Sequence, residues 1–197
     1  NLNIPNEFGE VILIFGRQLW PSGQYNLNDL NDTIYFRQDQ SQNNMGFGYS
    51  LSILSDINQD GYDDILIGSV LKKEDGSVIG DKAYLYYGNS NFSNMNINQA
   101  NATFIGNDEW DVFSERLKGI GDFNDDGRPD VVRPAGGHDW LRKSNILLSQ
   151  SNGYYTFMEI ENSPLSQFHT VSSGDIDNDG DLDLFFGGTI DDGFAIN

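Results

Sequence analysis

No cysteine occurs in the 197-residue chain, so no disulfide holds it together and the sequence carries no mark of a redox compartment. Basic residues are scarce. Eleven Lys and Arg stand against 30 Asp and Glu, a formal net charge of −19. Binding to a nucleic-acid backbone draws on basic groups that release counterions, so this balance argues against a DNA or RNA partner. It points instead to an acidic face that collects cations. Long apolar runs are missing too. The most apolar stretch, Val11 to Phe15, is strand-length, short of the roughly 18 residues that a helical membrane span needs. Only two histidines occur, His138 and His169, and neither has a partner at nucleophile or zinc-ligand spacing. The glycines follow acids and precede strands, which is not the pattern of a phosphate-binding loop. Asn1-Leu2-Asn3 has neither a basic start nor an apolar h-region. From this we expect either a removed signal or a start inside a longer protein.

What is abundant is Asp, Asn and Gly in one spacing. Asp56 to Asp64 reads D-I-N-Q-D-G-Y-D-D, Asp122 to Asp130 reads D-F-N-D-D-G-R-P-D, and Asp175 to Asp183 reads D-I-D-N-D-G-D-L-D. Acid or amide oxygens stand at positions 1, 3 and 5, glycine at 6 and aspartate at 9. Calcium takes 6–8 oxygens at flexible geometry, and a short loop supplies them when alternate side chains turn inward. The ligands expected are Asp56, Asn58, Asp60 and Asp64 in the first loop, Asp122, Asn124, Asp126 and Asp130 in the second, and Asp175, Asp177, Asp179 and Asp183 in the third. Position 7 would add its main-chain oxygen (Tyr62, Arg128, Asp181), and Gly at 6 permits the sharp turn before it. About three Ca²⁺ ions are expected. Position 2 is apolar each time (Ile57, Phe123, Ile176) and is expected to anchor the loop on the core. An EF-hand opens the same way but needs Glu at position 12 and flanking helices. Here position 12 holds Ile67, Arg133 and Phe186, and the flanks read as strands.

Other features keep register with the loops. Phe47-Gly48, Phe113-Ser114 and Phe168-His169 precede them, and short apolar runs follow: Ile65-Leu66-Ile67-Gly68, Val131-Val132 and Leu184-Phe185-Phe186-Gly187. A strand enters each loop and another leaves it, which predicts a β-hairpin. Val11 to Gly16 aligns with Ala83 to Gly88, with Ile146-Leu147-Leu148 as a third copy and Gly193 to Ile196 as the start of a fourth. Outer strands are expected at Thr33 to Phe36, Thr103 to Ile105 and Tyr155 to Met158, with polar linkers such as Asn89 to Ala102 between units. Glycine-rich composition (22 residues) and 13% aromatics fit many strands and turns, and no helix of convincing period appears. The expected fold is all-β, built of β-propeller blades, each a four-stranded antiparallel sheet. We divide the chain into a blade fragment (1–40), two blades (41–106 and 107–161) and a partial blade (162–197). That makes about three blades, where propellers have 4–8, so a larger propeller is expected, completed by the same or a neighbouring chain.

These loops and their flanks resemble FG-GAP repeats, the blade unit of integrin α-subunit propellers and of related VCBS-type repeats in microbial surface proteins. Phe47-Gly48 stands as the FG element and Ile67-Gly68-Ser69 as the GAP element. The other copies depart, with serine or histidine after the Phe and Arg133-Pro134 at the GAP position. The resemblance implies calcium in a structural role and an extracellular or cell-surface module for adhesion, with a protein or glycan ligand or further blades as partner. No catalytic residue is identified, so we expect a non-enzyme. Two alternatives stand beside it: an accessory propeller of a secreted carbohydrate- or lipid-active enzyme, and a structural subunit of a surface filament. Trp20, Trp140, Tyr154 and Tyr155 are read as filling space between blades, Trp110 among Asp108, Glu109 and Asp111 as a buried indole, and Asp191-Asp192 as a solvated turn. The sequons at Asn31, Asn91 and Asn101 are as many as chance supplies in so asparagine-rich a chain.

Overall fold

The computed structural model describes residues 9–16, 22–24, 26, 30, 33–38, 45–72, 78–106, 114, 116–134, 144–152, 154–160 and 167–189. Trp20, Trp110 with its three acidic neighbours, His138, Trp140, Asn31, Asp191-Asp192 and the Gly193 to Ile196 strand lie outside them. Thirteen strands are described. They are β1 (Glu10–Ile14), β2 (Thr33–Arg37), β3 (Met45–Leu54), β4 (Asp64–Lys72), β5 (Val78–Tyr86), β6 (Met95–Asn96), β7 (Ala102–Ile105), β8 (Lys118–Gly121), β9 (Asp130–Arg133), β10 (Asn145–Ser149), β11 (Tyr155–Glu159), β12 (Gln167–Gly174) and β13 (Asp183–Thr189).

They form four sheets, ordered β1-β2-β6, β3-β4-β5-β7, β8-β9-β10-β11 and β12-β13. The second and third are four-stranded and antiparallel throughout, the up-and-down arrangement of propeller blades. The N-terminal pair β1–β2 forms a sheet separate from β12–β13. The linker after β5 differs from expectation. Met95–Asn96 pairs in parallel with β2, and Ile97–Gln99 closes a single 3-10 turn that Asn96 and Gln99 cap reciprocally. This segment ties the second sheet's connection to the edge of the first.

The apolar runs explain how the sheets stack. Successive side chains of a strand point to opposite faces. In β4 and β5, Ile67, Tyr84 and Tyr86 enter one core with Val11, Ile34, Phe36, Phe47 and Ile97. On the other face Leu66, Ala83 and Leu85 meet Leu54, Leu117, Val131 and Leu147. Strands β9 and β10 repeat the alternation, sending Val132 and Ile146 to a third core with Ile120 and Val171. A middle strand buried on both faces needs an unbroken apolar sequence, which is why these strands show runs instead of alternation. Aromatic edges lock the layers: Phe36 meets Tyr86 with ring centroids 4.9 Å apart, and Phe104 meets Tyr155 at 5.8 Å. Tyr155 therefore fills space between sheets as expected, whereas Tyr154 is exposed.

Ser114, the residue in the glycine place of the second FG-like element, plugs into the preceding sheet. It is fully buried. Its N–H donates to the Asp81 carboxylate, its Oγ donates to the Ser69 carbonyl at 2.9 Å, and its carbonyl accepts the Ser50 Oγ at 2.5 Å. Gly68 makes room, since a Cβ there would lie 2.2 Å from both the Ser114 carbonyl oxygen and Ser50 Oγ. Gly68→Ala should therefore destabilise the protein by about 2 kcal/mol through overpacking against backbone, read as a lower urea midpoint at unchanged m-value. A neutral result would mean that the second and third sheets are not seated on each other through Ser114.

Candidate metal centres

The three acidic loops join β3 to β4, β8 to β9 and β12 to β13, closing on the pairs Leu54↔Asp64, Gly121↔Asp130 and Gly174↔Asp183. Their backbones match residue by residue. Position 4 is left-handed in each although none is glycine (Gln59 φ 60°, Asp125 58°, Asn178 61°), and position 6 is left-handed glycine (Gly61 93°, Gly127 82°, Gly180 100°). Left-handed backbone is tolerated best by Gly and then by Asn and Asp, so Gln59 is the costliest of the six. The sequence marked position 6. It also carried a signal at position 4, since Asp125 and Asn178 are residues that accept this conformation.

The carboxylate at position 1 organises the turn. Asp56 accepts the N–H groups of Asp60 (2.9 Å) and Gly61 (2.6 Å), and Asp122 accepts those of Asp126 (2.9 Å) and Gly127 (2.7 Å). Asp175 accepts that of Gly180 at 3.1 Å. At position 5, Asp60, Asp126 and Asp179 accept the position-7 N–H at 3.0–3.1 Å. Position 3 contributes Asn58, Asn124 and Asp177, each accepting the position-5 N–H. The side chains at 1, 3 and 5 thus turn toward one concavity.

Position 9 closes each loop on itself. Asp64, Asp130 and Asp183 accept the position-2 N–H of Ile57, Phe123 and Ile176 at 2.9–3.0 Å. In the first two loops the other oxygen accepts a distant N–H, from Gly88 to Asp64 and from Ser149 to Asp130, both at 2.8 Å. Asp64 and Asp130 are fully buried. Burial pushes both carboxyls above the usual aspartate range, opposed by these N–H bonds and reinforced by Asp60 and Asp56 in one loop and Asp126 and Asp122 in the other. Sequence reasoning missed this second duty, because Gly88 and Ser149 are far along the chain.

The third loop is more open. Asp183 is exposed, and so is Ile176, which was expected to anchor on the core. Ile57 and Phe123 do pack against the cores toward the following sheet. In the third loop Asp175, Asp177 and Asp183 bring carboxylate oxygens within 4.8 Å of one another. The Asp181 carboxyl is raised above the usual aspartate range by the neighbouring charges of Asp179 and then of Asp125 in the second loop. Each loop offers carboxylate or amide oxygens at positions 1, 3, 5 and 9 and contains no His or Cys, and such oxygen donors suit a hard cation, so all three loops fit calcium by donor type. The positions that would hold it are the fifteen given from sequence, with Tyr62, Arg128 and Asp181 offering main-chain oxygens.

No helix among the described residues is long and apolar enough to cross a membrane. A family model described as FG-GAP repeat matches residues 47–78, and one described as FG-GAP-like repeat matches residues 122–186. The two matches contain all three loops. Among curated proteins, integrin alpha-6 of Homo sapiens is 32% identical over 111 residues, covering 56% of this chain and 9% of that protein. Integrin alpha-2 of Bos taurus is 31% identical over 93 residues (45% and 7%), and integrin alpha-8 of Gallus gallus 33% over 121 residues (56% and 11%). The chain therefore spans a small part of the length of these relatives. Their matches, the two repeat models and the stacked four-stranded sheets agree that the chain carries FG-GAP-type repeats similar to those of integrin α subunits.

Proposed function

We propose that the chain is a calcium-stabilised, non-enzymatic β-propeller module that serves extracellular adhesion, protein or glycan interaction, or surface assembly. The observation that carries the reading is the threefold recurrence of one loop geometry, with left-handed positions 4 and 6 and inward oxygens at 1, 3 and 5. The blades are residues 41–106 and 107–161, flanked by a fragment (1–40) and a partial blade (162–197), within a larger propeller completed by further blades of the same or a neighbouring chain. Similarity to integrin α subunits supports an extracellular setting and a protein partner.

The mechanism is electrostatic and entropic. Calcium, when bound, supplies positive charge among clustered carboxylates, and about three ions would bring the formal charge from −19 to about −13. Asp56, Asp122 and Asp175 hold the turn in shape, while Asp64, Asp130 and Asp183 fasten it to the strand that leaves. Because the unfolded chain has no such concavity, binding energy becomes folding energy. Extracellular sites of this sort need only roughly 10⁻⁴–10⁻³ M affinity. Flow dialysis with radioactive calcium tests the count. The intact chain should take up about three ions and Asp60→Ala about two. Loss of all three in Asp60→Ala would refute independent loops, and no uptake by the intact chain would refute the calcium assignment.

A further inference from the structure

The three loops are not electrostatically equal, and the difference lies at position 7. The first loop carries Asp56, Asp60, Asp63 and Asp64 with Tyr62 at that position, and the third carries Asp175, Asp177, Asp179, Asp181 and Asp183. Neither contains a basic residue. The second carries Asp122, Asp125, Asp126 and Asp130, but its position 7 is Arg128.

The Arg128 guanidinium folds back into its own loop. Its Nη2 lies 2.6 Å from Asp126 Oδ2, with both side chains only 24% exposed. Its Nε donates to the Ser149 carbonyl at 3.4 Å, which ties it to the end of β10. Asp126 is the position-5 oxygen donor. Its Oδ1 takes the Arg128 N–H at 3.1 Å, and its Oδ2 takes the Asn124 amide at 3.2 Å in addition to the guanidinium. Among the described residues Asp60, the counterpart in the first loop, takes only the Asn58 amide on the equivalent oxygen, at 2.8 Å. Among the described residues no guanidinium reaches Asp60 or Asp179.

We propose that Arg128 is a tethered counter-cation that makes the second loop the weakest calcium site and holds that loop in shape when no ion is present. The inference rests on the calcium reading of the loops. A guanidinium is permanently charged and competes for the carboxylate that an entering ion needs. Held at both ends, it loses less entropy than a free surface arginine would on forming the pair. Loop charge count tunes calcium affinity, and a fixed positive charge among four carboxylates lowers it. The same charge relieves repulsion in the ion-free protein. One side chain thus weakens the loaded state and strengthens the empty one.

The test is calorimetric titration of calcium chloride into the full chain, Asp122→Ala and Arg128→Gln, with melting temperatures in EGTA and in calcium. Asp122→Ala, which dismantles the second loop, should abolish the weakest binding step and spare the two tighter ones. Arg128→Gln should tighten that same step about fivefold, the size of a well-held ion pair. It should melt lower than the wild type in EGTA and equal or higher in saturating calcium. A merely structural arginine would lower the melting temperature in both. Unchanged or weakened binding in Arg128→Gln, or loss of a tight step in Asp122→Ala, overturns the proposal while the calcium reading stands. Absence of calcium heat in all three proteins overturns both.

Discussion

Removal of calcium by EGTA is expected to lower the melting temperature of this protein by about 15 °C, and millimolar calcium should restore it. The estimate follows from linkage. A ligand at ten to a hundred times its dissociation constant stabilises by about 1.4–2.7 kcal/mol per site. Sites of roughly 10⁻⁴–10⁻³ M reach that range in about 10 mM calcium. Three loops then supply about 6 kcal/mol, and each kcal/mol moves the midpoint of a chain this size by about 2–4 °C. The sign is fixed by the clustering of Asp175, Asp177 and Asp183 and by the repulsion that Asp60 and Asp56 exert on Asp64 and that Asp126 and Asp122 exert on Asp130 when no ion is present. Scanning calorimetry in EGTA, calcium and magnesium gives the answer. Magnesium should restore less, because it demands near-octahedral geometry and gives up its waters reluctantly. Coincident melting in EGTA and calcium would remove the metal from the account of stability.

Much of this was legible in the sequence because the chemistry is local. Positions 1, 3, 5, 6 and 9 fall within nine residues, and each loop's own hydrogen bonds span at most seven. The hairpins were legible because Ile65-Leu66-Ile67 and Tyr84-Leu85-Tyr86 are apolar on both faces, as strands between two neighbouring sheets must be. What escaped was non-local or too short to have a period. The Met95–Asn96 bridge pairs with Phe36 and Arg37, and nothing in two residues announces it. Its 3-10 turn did have a local mark, the Asn96 and Gln99 capping pair. The serine at Ser114 read as a departure from the FG pattern. Its reason is the Ser69 carbonyl of the preceding sheet, which a glycine side chain could not reach. Arg128 read only as a main-chain donor, because the pull of Asp126 and Ser149 on its side chain requires the folded loop.

Asp64→Ala, like Asp130→Ala, should be among the most damaging single changes in a loop, costing about 4 kcal/mol even in EGTA. Both Asp64 oxygens accept backbone N–H groups, a part-buried one from Ile57 at the start of the loop and a buried one from Gly88 just past β5. A hydrogen bond to a charged group is worth about 1.5–3 kcal/mol, and truncation leaves two donors unsatisfied. The raised carboxyl offsets part of this, since burial already makes the ionised form costly. Asp183→Ala provides the contrast. Its carboxylate is exposed and takes the Ile176 N–H at 2.9 Å, so in EGTA the change should cost about 1 kcal/mol. In calcium each variant forfeits one ion, so the gap between them should persist while both fall further behind the wild type. Chemical denaturation of the three proteins with and without calcium separates the two duties of position 9. Equal losses for Asp64→Ala and Asp183→Ala in EGTA would mean that the bond from Gly88 and the burial of Asp64 contribute nothing to stability, since the Ile57 bond has its counterpart in Ile176. A large loss for Asp64→Ala in EGTA means that the first loop is fastened to its blade before any metal arrives, and that calcium tightens a clamp the carboxylate has already closed.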